Sequence, residues 1–236
     1  FPWGVSSPQP KTKTVVYTIP DKDIFRPHCT IAVDDGEHRD NVQLLAKYGA
    51  YVKNYSRFRI KVTPIPAFDS EIVSCTINAN DETHVGYYDV ETKFLTHSGE
   101  QDITVTIHDK RGRKNVITQT VNVLEYSKPY ISGLKVDRCD RDGVVTYDGE
   151  YIKVTFSAEI TPLKNLNSAS YQLRYQTSAG LDQTDVNLID FAGQYNIQGG
   201  TYIFKADSGN TYSVTLTATD DLDSFSDHEG ASDSTT

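Results

Sequence analysis

The chain has 236 residues, a formal net charge of −9, three cysteines and no methionine. An acidic surface repels phosphate, which argues against nucleic acid as a partner. No run of about 18 apolar residues occurs, so no membrane-spanning helix is expected.

The length fits two domains of about 100–150 residues, or one large barrel or sandwich. With 15 Tyr and 11% aromatic residues, the composition is that of a packed chain and not a disordered one. Phe1-Pro2-Trp3-Gly4 has no basic region followed by an apolar stretch, so no signal peptide is expected. The absence of an initiator Met suggests a chain trimmed or cut from a longer one. Cys29, Cys75 and Cys139 are too few, and odd in number, for a disulfide framework. Cys29 and Cys75 would be either one pair within a domain or two small core residues.

In chain order, Thr14 to Ile19 is the first β-prone segment. It precedes Pro27 much as Thr120 to Leu124 precedes Pro129. It therefore resembles the last strand of a preceding domain, or a strand that must pair with something. Asn41 to Lys47 is the best helical stretch, about two turns. From there the period is two. Phe58, Ile60 and Val62 alternate with charged residues; Val73, Cys75 and Ile77 follow, then Ile103, Val105 and Ile107. The later sets are Ile152, Val154, Phe156 and Ala158, then Tyr171, Leu173 and Tyr175, then Tyr212, Val214, Leu216 and Ala218. Alternation places each set on one strand face. Turn signals such as Ser98-Gly99, Arg111-Gly112, Asp142-Gly143 and Ser208-Gly209 separate them. Many short strands with regular turns predict an all-β sandwich or barrel.

An internal repeat divides the chain. Glu125 to Ile131 matches Asp23 to Cys29, 102 positions earlier. Ile103 to Asp109 matches Val214 to Asp220, 111 positions later. The expected layout is an N-terminal strand or linker over 1–22, one sandwich domain over 23–127, a second over 128–223 and a polar tail over 224–236. The second domain is expected to lack a closing strand, because the polar Ser224 to Thr236 stands where one would lie. An open edge invites pairing with another chain.

No catalytic motif is present: no P-loop, no Gly-x-Ser-x-Gly, no His-Glu-x-x-His. The six histidines lack zinc spacing. No cofactor is expected. Asp140 and Asp142, in Asp137 to Gly143, offer hard oxygen ligands for calcium or form a polar hairpin loop. Asp220-Asp221-Leu222-Asp223 is either a calcium site at a domain junction or a solvated linker. Lys110 to Lys114 is the one dense basic cluster, suited to an anionic polymer or to keeping a hairpin tip soluble. Tyr48, Tyr51, Tyr55, Tyr87 and Tyr88 would stack on sugars or fill core and rim. Tyr51 and Tyr88 are the glycan-contact candidates.

Two stretches carry a family resemblance. One runs I-T-V-T-I-H-D-K-R-G-R over 103–113 and Q-T-V-N-V-L-E-Y-S-K-P-Y-I over 119–131. The other runs G-L-K-V-D-R-C-D-R-D-G over 133–143, D-G-E-Y-I-K-V-T-F-S-A-E-I-T-P-L-K-N-L-N-S over 148–168 and S-Y-Q-L-R-Y-Q-T over 170–177. These resemble immunoglobulin-like repeats of minor structural and tail-tip proteins of siphophages infecting Gram-positive bacteria. Tyr48 to Val52 with Ser56 to Ile60 fits the opening of such a repeat. The resemblance covers roughly residues 24 to 224. It implies two tandem immunoglobulin-like β-sandwich domains and a non-enzymatic virion component. The implied partners are other tail or baseplate proteins, copies of the same chain in the particle and host cell-wall polysaccharide. A carbohydrate-binding adhesin module, or an accessory domain of a secreted cell-surface enzyme, is the competing expectation. It would place the chain on a bacterial surface or outside the cell.

Overall fold

The structure, a computed structural model, describes residues 13–17, 22–36, 44–177, 182–207 and 209–227. The first half contains β1 (His28–Asp35), a short helix α1 (Leu44–Tyr48), β2 (Tyr51–Val52), β3 (Phe58–Ile65), β4 (Ile72–Ala79), β5 (Glu82–Val85), β6 (Asp89–Glu91), β7 (Gly99–Asp109) and β8 (Lys114–Leu124). The second contains β9 (Tyr130–Cys139), β10 (Tyr151–Glu159), β11 (Ser170–Thr177), β12 (Gln183–Asn187), β13 (Asn196–Lys205), β14 (Tyr212–Thr219) and β15 (Ser224–Asp227).

The halves repeat one topology. Sheet order β1-β3-β6 faces β2-β8-β7-β4-β5 in the first, and β13-β10-β9 faces β12-β11-β14-β15 in the second. All pairs are antiparallel except the two-residue β2, which runs parallel to β8. Each half has its own core. Phe58, Ile60, Ile77, Ile103, Val105 and Ile107 are fully buried in the first; Val154, Phe156, Leu173, Val214, Leu216 and Ala218 are buried in the second. These are the residues that the period of two puts on inward faces. Removing each large apolar side chain from water contributes about 1.5–3 kcal/mol. A three-stranded sheet packed face to face on a four-stranded one with this order, to which the first half adds the short β2 at one edge, defines an immunoglobulin-like sandwich. The chain is two of them in tandem.

Several expectations change. Ser224–Asp227 is not part of a tail: it pairs antiparallel with β14, from Leu216↔Asp227 to Thr219↔Ser224. It is the counterpart of β8, shortened to four residues, so the second sandwich has a closing strand after all. Polar composition hid it, because an edge strand needs little apolar content. Val73 does not share the inward face of Cys75 and Ile77. The register between β4 and β7 shifts between Ile72 and Ser74, and the extra residue turns Val73 outward, 55% exposed. The helix is Leu44–Tyr48, shorter than expected and shifted; residues 41–43 lie outside the described ones. Residues 13–17 are not in a strand, and Val15, Val16 and Tyr17 are exposed; 18–21 lie outside the described residues. Cys29, Cys75 and Cys139 are free and buried, so the Cys29–Cys75 pair is two small core residues. Burial, and then the neighbouring Cys75, pushes the Cys29 thiol up to about 11.

Candidate functional site

The densest polar chemistry lies where the sandwiches meet. The first contributes α1, β2 and the turn after it; the second contributes the β10–β11 connection and the β14–β15 turn. Leu44, Tyr48, Val52, Tyr55, Leu163 and Leu222 form a third buried apolar cluster there, with Tyr126 from the linker. Leu44 and Tyr48, one turn apart on α1, share a face, and Val52 of β2 and Tyr55 of the turn after it join them against the second domain. The edge-on rings of Tyr55 and Tyr126 have centroids 5.0 Å apart.

Three tyrosine hydroxyls donate to three carboxylates of one turn. Tyr126 donates to Asp220 Oδ2 at 3.1 Å, Tyr48 to Asp221 Oδ2 at 3.3 Å, and Tyr55 to Asp223 Oδ2 at 2.8 Å. Asp220 is 6% exposed. Its Oδ1 accepts the backbone N–H of Leu222 and of Asp223, which closes the turn. Its Oδ2 also accepts from Asn167 Nδ2 at 3.1 Å. Asp221 pairs with Lys47 at 2.6 Å and accepts the Ser168 N–H; Asp223 pairs with Lys128 at 2.7 Å. Desolvation pushes the Asp221 carboxyl up. Lys47 and the Ser168 N–H more than offset this and hold it below the usual carboxylate range. The Tyr48 and Tyr126 phenols move well above their ordinary range, first through burial and then through the facing carboxylates.

Backbone geometry serves the same joint. Leu163, Lys164 and Asn165 form a run of left-handed residues, with φ of 46°, 61° and 61°. Such conformations each cost about 1–3 kcal/mol and persist only where surroundings enforce them. Here they drive Leu163 into the apolar cluster and bring Lys164 Nζ to the Tyr48 carbonyl at 3.1 Å. The linker is held from both sides. Glu125 accepts from Lys53 and Ser98 of the first sandwich, and Ser127 exchanges hydrogen bonds with Thr161 of the second.

The Asp220, Asp221 and Asp223 cluster therefore sits at the domain junction, where one of its two readings put it. Its carboxylates serve donors of the protein, and a cation would have to displace tyrosine hydroxyls, Lys47 and Lys128. Asp140 and Asp142 lie in the β9–β10 connection at the opposite end of the second sandwich. Asp140 Oδ1 accepts the N–H groups of Asp142 and Val144, both at 2.9 Å, which is a turn-closing role. Among the described residues no three His, Cys, Asp or Glu are grouped to hold a metal.

Tyr51 is not a glycan contact. It is 4% exposed and packs edge-on against Phe58, with centroids 4.9 Å apart. Burial, then Asp35 and Asp34, pushes its phenol up to about 12. Its alternation in β2 points it inward, and a sugar would reach it only by unfolding the sandwich. Tyr88 is 38% exposed beside Tyr87 at 61%.

The basic cluster is structural in part. Asp109 is 1% exposed and is held by Arg111 through Nε at 2.9 Å and a second nitrogen at 2.7 Å. Desolvation raises its carboxyl; the Arg111 and Arg113 contacts outweigh this, so it lies below the ordinary range. Arg111 also donates to the carbonyl of Ala67, and Arg113 to that of Phe25, whose ring it overlies. The tyrosine–aspartate pairing was missed because it joins residues 94 to 173 positions apart. The one-turn spacing of Leu44 and Tyr48 was the local signal for the apolar half of this face.

No family model matches the chain, and no curated protein matches it. Similar solved structures include carbohydrate-binding modules of the β-sandwich superfamily, at 11% identity over 87% of this chain and 96% of that one, TM-score 0.33. Fibronectin(III)-like modules of Clostridium thermocellum CbhA align at 13% identity over 84% and 90%, TM-score 0.28. Three N-terminal domains of the highly immunogenic outer capsid protein Hoc of bacteriophage RB49 align at 10% identity over 86% and 68%, TM-score 0.42. The assignment of tandem sandwiches rests on the sheets and cores themselves.

Proposed function

We propose that the chain is a non-enzymatic structural component of a phage tail or baseplate, in which two sandwiches act as a stiff spacer that helps present the particle to the host surface. The observation that carries this reading is the joint. Two domains that only needed a tether would be linked by a solvated segment. Here three tyrosine–aspartate hydrogen bonds, an apolar cluster and a linker pinned from both sides fix one relative placement. A spacer needs a fixed placement; a catalytic domain carried on a linker does not. The resemblance of residues 24 to 224 to siphophage tail-tip repeats supplies the setting.

Immunogold electron microscopy with an antibody against this chain tests it. Gold at the tail or baseplate of phage particles is the expected result. Gold on host cells alone, with clean particles, overturns it.

A second reading, a glycan-binding adhesin module, is favoured by the adjacent exposed Tyr87 and Tyr88. It requires affinity for host cell-wall polysaccharide that falls in Tyr88→Ala. Equal binding by both proteins removes it.

A further inference from the structure

The first sandwich carries at its outer end the same parts that the second uses in the joint. The β3–β4 connection corresponds to β10–β11, the β7–β8 turn to β14–β15, and the segment before β1 to the linker before β9. Asp109 matches Asp220, and both are buried carboxylates that close their turns. Phe68 and Asp69 are left-handed, with φ of 49° and 53°, as Leu163 and Lys164 are. Ile24 stands 102 positions before Tyr126. The difference is cover: Leu163 and Tyr126 are buried by the first sandwich, whereas Phe68 is 66% and Ile24 67% exposed.

The matching half lies at the far end of the second sandwich. In the first sandwich, the segment between β1 and β3 forms the inner half of the joint. Its counterpart between β9 and β10, residues 140–150, is pinned by Asp140 and by an isolated bridge from Cys139 to Val145. It displays Val144 at 63%, Val145 at 60% and Tyr147 at 85% exposure. The charges are complementary. Residues 140–150 hold Asp140, Asp142, Asp148 and Glu150 against Arg141 alone. The opposite end holds Lys22, Arg26, Lys110, Arg111, Arg113 and Lys114 against Asp23, Asp69, Glu71 and the buried Asp109, a small positive excess; Lys110 is paired with Glu71 and Arg111 with Asp109.

We propose that copies of this chain associate head to tail: the 140–150 end of one copy docks on the Phe68 and Ile24 end of the next, repeating the polarity of the internal joint. The two surfaces differ, so the contact is heterologous and builds an open string or a ring, not a closed two-fold dimer. This does not depend on the virion reading, because it rests on the internal joint.

Sedimentation of the purified chain over a concentration series tests it. The expected result is a mass that rises with concentration and falls at high salt. Tyr147→Asp changes an exposed side chain and should leave the melting temperature in place; Phe68→Asp also loses a ring contact with Phe25, centroids 5.2 Å apart, so its melting curve is measured to confirm that it is folded. Each alone should weaken association at least about tenfold. Mixed, they should recover a dimer and nothing larger, because each variant keeps the half that the other has lost. A chain that stays monomeric up to about 1 mM overturns the proposal. So does association that either variant leaves unchanged, or a mixture that fails to recover the dimer.

Discussion

Asp109 and Asp220 hold the same place in successive sandwiches, yet their charges are met differently. Asp109 is met within its own turn by Arg111. Asp220 is met by the hydroxyl of Tyr126 from the linker and by Asn167 of its own sandwich. One carboxylate serves its own domain; the other closes its own turn and also ties that turn to the linker. Asp109→Asn should therefore destabilise the first sandwich alone, by about 2 kcal/mol. Asp220→Asn should act on the coupling between the domains. Calorimetry on each variant checks this, with a shift confined to one transition expected only for Asp109→Asn.

Tyr126→Phe keeps the ring against Tyr55 and removes only the hydroxyl. It should cost about 1 kcal/mol at the joint and leave both cores unchanged. The check is small-angle scattering: the variant should show a broader distribution of overall dimensions than the parent chain at equal secondary structure.

The phenols of Tyr48 and Tyr126 titrate above their ordinary range. Groups with raised folded values contribute stability that is complete below the unfolded value and lost as pH climbs. The joint should hold at neutral pH and loosen from above about pH 10. Ultraviolet absorbance should show a late, cooperative tyrosine ionisation accompanied by domain separation.

At the acid end the sign reverses. Asp109 and Asp221 have lowered values, so their contributions are complete above the ordinary carboxylate range and vanish as pH falls through and below it. Acid unfolding followed by circular dichroism should begin later in the parent than in Asp109→Asn.

Tyr51→Ala removes a buried ring from the first core and should cost about 3–5 kcal/mol. Urea titration measures it. Tyr88→Ala, on the surface, should fall within about 0.5 kcal/mol of the parent.

Which parts were legible follows from the range of the physics involved. Alternation is local, so Phe58, Ile60 and Val62, or Val214, Leu216 and Ala218, declared their buried faces from sequence. The matches of Pro27 with Pro129 and of Asp109 with Asp220 exposed the repeat. The short closing strand Ser224–Asp227 was invisible because its pairing comes from backbone and its composition is polar. Val73 was misplaced because a bulge is one residue long. Tyr51 read as a possible sugar platform because no local signal separates a tyrosine facing the core from one facing water. The joint was hardest: Asp220, Asp221 and Asp223 acquire meaning only once Tyr48, Tyr55 and Tyr126 arrive from elsewhere in the chain.

The five residues between Leu124 and Tyr130 also determine how the protein behaves under tension. Force pulled along the chain must pass through Glu125 to Pro129. Around them the domains are held by side-chain contacts and an apolar cluster, whereas within a domain β7 and β8 share a backbone ladder of 10 residue pairs. A pull strong enough to part the joint would let this segment lengthen to about 17 Å before either sandwich is strained. Under tension, then, the tyrosine–aspartate contacts and the apolar cluster set the length of the tandem, and the strand ladders set its survival.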